Sequence, residues 1–407
     1  MTLFKDKHVL VIITGSIAAY KSAILVRTLI KNQAQVRVAM TESAEKFITA
    51  LTFSTLTKYP VLTDIFKETD GEVAHVAWAR WADFIFVVPA TANFIAKIAY
   101  GLANDTASAL ILASSAVKIV APAMNDQMWH NAATRRNLKQ IQADGLLVID
   151  PVVGFLAEGY DAKGHLPDVD DILDQAQVRL LAKHGQLANK KILITAGGTR
   201  EALDPLRYIS NRSSGKMGYA LAQAAVEAGA SVTLISTVEL KVPFNVQLIQ
   251  VTSSDDMMAA VSDHFQTADV FISAAAVSDF RPSQQQTQKI KKTGNEGLTL
   301  NLVQNPDILA TVAATKKNQF VVGFAAETQD LLNYAKDKLV KKHADMIIAN
   351  DVSQKGIGFN ADDNQVTIIR PHERPQTLPV QSKLETARSI VTEIAKELAD
   401  QLQNDFN

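Results

Sequence analysis

Short apolar runs alternate with amphipathic stretches along this chain, and the pattern is laid down twice. In the first half, HVLVIIT (8–14), QVRVAM (35–40), DFIFVVPA (83–90), VKIVAPA (117–123) and LLVID (146–150) read as strands, with a helix over 17–32. In the second half, KILITA (191–196), SVTLIST (231–237), DVFISAAA (269–276), FVVGFAA (320–326) and DMIIAN (345–350) repeat the style, and 383–403 reads as a long amphipathic helix packed on the sheet. Strands that are continuously rich in Val and Ile are buried on both faces. When helices separate them, they build a parallel sheet. The expected fold class is therefore α/β, with two domains and mainly parallel sheets. The length of 407 residues agrees with two domains. The polar stretch AKHGQLANK (182–190) sets the expected boundary, giving 1–190 and 191–407.

Composition removes several function classes. Hydrophobic residues make up 47% and charged residues 20%, enough apolar material for two cores, so disorder is excluded as the main state. Lys plus Arg number 41 against 42 Asp plus Glu, so no broad basic field exists to hold nucleic acid or a membrane surface. The absence of cysteine excludes disulfides, thiolate metal sites and a Cys nucleophile, and fits a reducing compartment. Val9–Ile13 is too short for a secretory apolar core, and no run approaches bilayer length, so a cytoplasmic protein is expected.

In open α/β sheets, ligands bind beyond the carboxyl ends of the strands. In the first half four strand ends are polar or glycine-bearing. They are Gly15-Ser16-Ile17, Thr41 to Ser43, Pro89-Ala90-Thr91 to Asn93, and Met124-Asn125. Each turn has two readings, a helix cap or an anion contact. The GxGxxG dinucleotide fingerprint is absent, which weighs against a two-domain NAD enzyme. In the second half, Gly197-Gly198 follows a strand, and Ser213-Ser214-Gly215 opens a helix expected from about Tyr219. Gly215-Lys216 suggests a P-loop, but Ser210 stands where a Gly is required and Met217 where Ser or Thr would hold a metal. The polar, turn-rich segment 281–297 reads as a mobile loop.

PAMNDQMW (122–129) resembles the PxMNxxMW signature of the flavin-containing cysteine decarboxylases, and HVAWARWADF and PATANFIAKIAYGLAND match other blocks of that family. In the second half RYISNRSSGKMG, AAAVSDFRP, KIKK, NPDIL, GFAAET and ANDVS match its ligase counterpart. The whole chain resembles the bacterial bifunctional phosphopantothenoylcysteine decarboxylase / phosphopantothenate–cysteine ligases of coenzyme A synthesis. The resemblance implies a flavodoxin-like FMN domain followed by a Rossmann-like ligase domain. FMN would lie on Gly15, Ser16, Ile17, Thr41, Ser43, Pro89, Ala90, Thr91, Asn93 and Met124. His75 would be the acid/base residue and Asn125 would hold the substrate carboxylate.

For the ligase, the resemblance implies CTP on Ser213, Ser214, Gly215, Asp279, Asn305, Pro306, Asp307, Ile308, Phe324, Lys338 and Lys342. Lys289 would be catalytic and would also bind CTP. Asn211 would be catalytic, and with Arg207 would bind substrate. Mg²⁺ would be carried on phosphates. Substrates would be phosphopantothenate, cysteine and CTP. Trimeric flavin domains and dimeric ligase domains imply a dodecamer-like homo-oligomer. One departure stands out. The family flap carries a Cys in an LACGxxGxGR-type stretch, whereas this chain has Glu158, with Ala162 and His165 replacing a Gly and the Arg. Glu158 is then either a substitute proton donor or the mark of an altered flavin half beside a working ligase. A regulatory FMN-binding protein without turnover is the remaining alternative.

Overall fold

The computed structural model describes residues 3–66, 73–292, 297–327, 330–351 and 361–405. Thr328, Val352 and Ser353 of the matched motifs, and 293–296 of the 281–297 loop, lie outside the described residues. The chain divides into two compact units, 1–177 and 178–407.

In unit 1, β1 (His8–Ile13) leads through a short 3-10 turn into α1 (Tyr20–Lys31) and β2 (Gln35–Met40). Then follow α2 (Ala74–Trp81), β3 (Phe84–Ala90), β4 (Val117–Pro122) and β5 (Leu147–Val148). The sheet order is β2-β1-β3-β4-β5, and every pair is parallel. This is the flavodoxin-type order, whose topological switch point lies between β1 and β3. Val9 pairs with Val36 on one side and with Phe84 on the other, and β1 and β3 are buried nearly throughout. That explains their uninterrupted apolar text. A hairpin follows, β6 (Val152–Phe155) and β7 (Asp161–His165). Its strands, the short apolar VVGF and the polar DAKGH, are mostly exposed and carry no period-2 burial signal that would mark them in the sequence.

Unit 2 runs β8 (Lys191–Ala196), α3 (Lys216–Glu227), β9 (Ser231–Ser236), β10 (Val246–Gln250), β11 (Val270–Ser273), α4 (Ile308–Ala313), β12 (Phe320–Glu327), α5 (Leu331–Lys341), β13 (Met346–Asp351), β14 (Val366–Ile369), β15 (Gln376–Thr377) and α6 (Lys383–Asp405). The order is β10-β9-β8-β11-β12-β13-β14-β15, parallel as far as β13 and antiparallel beyond. The switch point lies between β8 and β11, as in Rossmann-type sheets. α3 begins at Lys216, three residues before the expected start, because Gly215 takes a φ of +73° and turns the chain into the helix there. α6 lies against α3, where Arg388 clasps Glu227 through Nε at 2.7 Å and Nη2 at 2.9 Å. β11 ends at Ser273, short of the expected Ala276. The chain leaves the sheet there and lines the ligand edge instead. Among the described residues no helix is long and apolar enough to cross a membrane.

Candidate active sites

Parallel strands put all their carboxyl ends on one edge, so unit 1 gathers Gly15–Ile17, Thr41–Ser43, Pro89–Asn93 and Met124–Asn125 there. Gly15 passes so close to the turn after β2 that a Cβ on it would stand 2.5 Å from Ser43 Cβ. The loops at the switch point are tied by Thr14, whose Oγ1 donates to Pro89 O at 2.7 Å and accepts from Thr91 N at 3.0 Å. The side chains of Ser16, Thr41 and Thr91 each accept a backbone N–H as N-caps. Each keeps its own O–H to donate, so capping and anion contact are compatible. His75, in the first turn of α2, is half-buried, and its buried Nδ1 has no hydrogen-bond partner among the described residues. A buried polar atom without a partner is costly unless a ligand satisfies it. The backbone cradle and the unsatisfied imidazole both fit a bound flavin and its substrate.

The hairpin folds over the end of β4. Met124 N donates to Gly164 O at 3.1 Å, and a Cβ at Gly164 would fall 2.1 Å from Met124 O. This docking brings the hairpin turn onto Asn125, whose Nδ2 donates to Glu158 Oε1 at 2.9 Å and to Tyr160 Oη at 3.2 Å. The Tyr160 hydroxyl donates to Asp126 Oδ1 at 2.6 Å. That bond holds the Asp126 carboxyl below its usual range and the Tyr160 phenol above its own. Behind the flap, the buried Lys21 of α1 moors its far end, donating to Leu166 O at 2.8 Å and Asp168 Oδ1 at 3.0 Å. His165, where the family has Arg, stands 3.3 Å from the same ammonium. Tyr160 and Asp126 had no role on sequence grounds, because their pairing exists only once the hairpin docks.

In unit 2 a cavity of ≈ 850 Å³ lies at the carboxyl ends of β11 and β12, beside the opening of α3. Its lining includes Asn211 and every residue expected to hold nucleotide except Lys289: Ser213, Ser214, Gly215, Asp279, Asn305, Pro306, Asp307, Ile308, Phe324, Lys338 and Lys342. Lys338 Nζ donates to Phe324 O at 2.7 Å, and Lys342 is hydrogen-bonded to Asp307, which also caps α4. Burial pushes the Asp307 carboxyl up, but the Ala310 N–H and the Lys342 ammonium outweigh it and hold it low. Asn305 Nδ2 donates to Ser278 O at 2.7 Å and its Oδ1 accepts from Arg281 at 2.9 Å. Ser278 Oγ and Asn350 Oδ1, also in the lining, are buried without a partner among the described residues. Lys216 and Lys383 line the cavity as well. Burial, then the Lys216 charge, lower the Lys383 ammonium. Lys216, Ser278 and Asn350 lie in the matched motifs SSGKMG, AAAVSDFRP and ANDVS, whereas Lys383 belongs to no matched motif and reaches the cavity from the start of α6.

Arg207 and Lys289 do not line the cavity. The Arg207 guanidinium is engaged by Asp204, with Nη2 at 2.6 Å from Oδ2, and donates to Ile290 O at 2.7 Å. The buried Asp204 carboxylate also accepts from Ile290 N at 3.0 Å. The Arg207 pair, opposed by desolvation and aided by backbone N–H donors, drives its pKa far down. Asp204 and Arg207 therefore fix the backbone next to the exposed Lys289. Asp204 has no role on sequence grounds, because its bonds to Arg207 and Ile290 exist only in the fold. Replacing Asp204 by Ala should free the segment carrying Lys289 and lower the ligase kcat/KM by about tenfold or more, while decarboxylation of supplied intermediate stays unchanged. Steady-state kinetics of the two half-reactions checks this.

Comparison with known proteins finds two family models along the chain. Residues 2–181 match the family model described as Flavoprotein, and 187–398 match the DNA/pantothenate metabolism flavoprotein C-terminal domain. The coenzyme A biosynthesis bifunctional protein CoaBC of Bacillus subtilis is 44% identical over 402 residues, covering 97% of this chain and 98% of the relative. Its Escherichia coli K12 namesake is 43% identical over 393 residues, covering 95% and 96%. A solved C-terminal domain of a CoaBC protein is 41% identical, with a TM-score of 0.46, over 53% of this chain and 99% of that one. Near-complete coverage of relatives at this identity shows that the chain belongs to the bifunctional coenzyme A biosynthesis proteins, enzymes that join a decarboxylase to a ligase.

Proposed function

We propose that unit 2 couples 4′-phosphopantothenate to cysteine at the expense of CTP, and that unit 1, loaded with FMN, decarboxylates the product to 4′-phosphopantetheine. The observation that carries this reading is the unit 2 cavity, which collects the expected nucleotide residues from five separate stretches of chain beside a helix opening. A carboxylate is a poor electrophile. Its oxygen attacks the α-phosphorus of CTP and pyrophosphate leaves. The amine of cysteine then attacks the acyl carbon and CMP leaves. Charge builds on the phosphoryl oxygens, and the ammonium groups of Lys289, Lys338 and Lys342, with Mg²⁺ entering on the nucleotide, are suited to offset it. Asn211 Nδ2 donates to Val277 O at 3.0 Å, which keeps its amide at the cavity rim for the acyl group.

With ¹⁸O in the phosphopantothenate carboxylate, one labelled oxygen per turnover should appear in CMP. Unlabelled CMP would contradict the acyl-cytidylate. Lys289→Gln should lower CMP formation by about 100-fold or more, the size seen when one transition-state charge partner is removed.

For the decarboxylase, FMN when bound supplies a reversible two-electron oxidation of the substrate thiol, which makes the neighbouring carbon able to hold the electrons that CO₂ leaves behind. The switch-point cradle from Gly15 to Met124 supports this placement, as does the free Nδ1 of His75, which can take a proton from the substrate. Asn125 orients the carboxylate. Glu158 supplies the proton that the family takes from its Cys. Glu158→Ala should therefore release a product two hydrogens lighter than phosphopantetheine, the enethiol, read by mass spectrometry.

A further inference from the structure

The Asn125 amide already holds a carboxylate. Its two N–H bonds go to Glu158 Oε1 and Tyr160 Oη, so the group is fully committed. The Tyr160 proton goes to Asp126 and is not offered to Glu158. Among the described residues Asn125 is the one donor to Glu158, and no cation pairs with it. The titratable groups facing Glu158 are thus an anion, Asp126, and a phenol that Asp126 keeps protonated. Among the described residues no cation is hydrogen-bonded or ion-paired to this exposed carboxylate to offset a second negative charge beside it.

A substrate that presents its own carboxylate to Asn125 meets one already in place. Two carboxylates held against one amide repel, which favours a proton shared between them. We propose that the substrate carboxylate takes the Asn125 N–H now given to Tyr160 and so shares the amide with Glu158, that a proton is taken up from solvent as the substrate binds, and that Glu158 delivers this proton to the carbon that loses CO₂. This rests on the decarboxylase reading above and deepens it. The bond from the α-carbon to the carboxylate breaks and its electron pair passes into the enethiolate. The Glu158 O–H bond breaks and a C–H bond forms at the α-carbon, giving the thioaldehyde. The two electrons that take the thioaldehyde to the thiol are those withdrawn from the substrate thiol at the start and held by the flavin. Loss of CO₂ removes the charge that kept the proton on Glu158. The donor therefore becomes acidic as the carbon becomes basic.

Proton uptake can be measured without turnover. Flavin-loaded full-length protein is titrated calorimetrically with 4′-phosphopantothenoylserine, which keeps the carboxylate but has a hydroxyl for the thiol. The comparison ligand is 4′-phosphopantothenoylethanolamine, which lacks the carboxylate. Both carry the same phosphate, so its own proton change cancels in the difference, and two buffers of unlike ionisation enthalpy give the proton count. At about pH 6, where a free Glu is ionised, the serine ligand should take up roughly half a proton or more beyond the ethanolamine ligand. In Glu158→Gln, an isosteric change at an exposed position, the difference should vanish. Binding of the serine ligand without extra uptake, or uptake that persists in Glu158→Gln, would overturn the proposal and leave the decarboxylase reading standing. Failure of both ligands to bind would remove that reading and this proposal with it.

Discussion

Replacing Gly164 by Val should abolish decarboxylation while CMP formation stays within about twofold of the parent. Gly164 lies on β7, where the flap docks on the end of β4. A Cβ there would stand 2.1 Å from Met124 O, 3.3 Å from Met124 C and 3.4 Å from Asn125 C, all backbone atoms that cannot rotate aside. The hairpin must lift, and the Met124 N to Gly164 O bond is lost with it. Glu158 and Tyr160 then leave Asn125. Misplacing a reacting group by about 1 Å costs on the order of 100-fold, so a drop of at least that size is expected. CO₂ release from supplied phosphopantothenoylcysteine measures it, with flavin absorbance as the control for an intact cradle. Decarboxylation within threefold of the parent would mean that the docked flap is not needed. The ligase is spared because no residue of its cavity belongs to the flap.

The largest stability effect should come from Arg370→Met. Arg370 follows β14, and its side chain is only 6% exposed. Its guanidinium stands 2.5 Å from Glu393 Oε2 and 2.5 Å from Glu397 Oε1, both on α6. Removing the cation leaves the part-buried Glu397 without it and Glu393 with Lys396 alone, which costs about 3 kcal/mol. Urea unfolding should show a lower midpoint with an unchanged slope. The sign with pH follows from linkage. In the variant Glu397, already raised by burial, loses the cation that opposes that rise, so the penalty is full at neutral pH and shrinks as pH falls through the raised value toward about pH 4. A penalty that grows in acid would contradict this account of the pair.

Much of the fold was legible because its central strands are buried on both faces. HVLVII carries no polar residue after its first and KILITA only the buried Thr195, and that pattern calls for a covered parallel sheet. The edge strand β10 was not legible. VQLIQ breaks alternation at Leu248-Ile249, is at most half-buried, and sits at the open side of β9. The β6–β7 hairpin was visible only through its motif, since its place depends on one backbone contact to Met124 rather than on a buried face. The nucleotide cavity was legible where it follows strand ends and helix openings, as at Ser213–Gly215 and Asn305–Ile308. It was not legible at Lys383, which lies at the start of α6, far in sequence from the strand ends and helix openings that line the rest of the cavity. Arg207 shows the limit of motif transfer most plainly. The motif places it with the substrate, whereas its hydrogen bonds place it on Asp204 and the segment carrying Lys289.

The central claim is that one chain performs both reactions in sequence. It is tested most directly by giving the flavin-loaded full-length protein 4′-phosphopantothenate, cysteine, CTP and Mg²⁺, and following products by mass spectrometry. The account predicts equal amounts of CMP, CO₂ and 4′-phosphopantetheine. Accumulation of 4′-phosphopantothenoylcysteine with CMP but without CO₂ would contradict it, leaving a ligase whose Cys-free flap does not support decarboxylation.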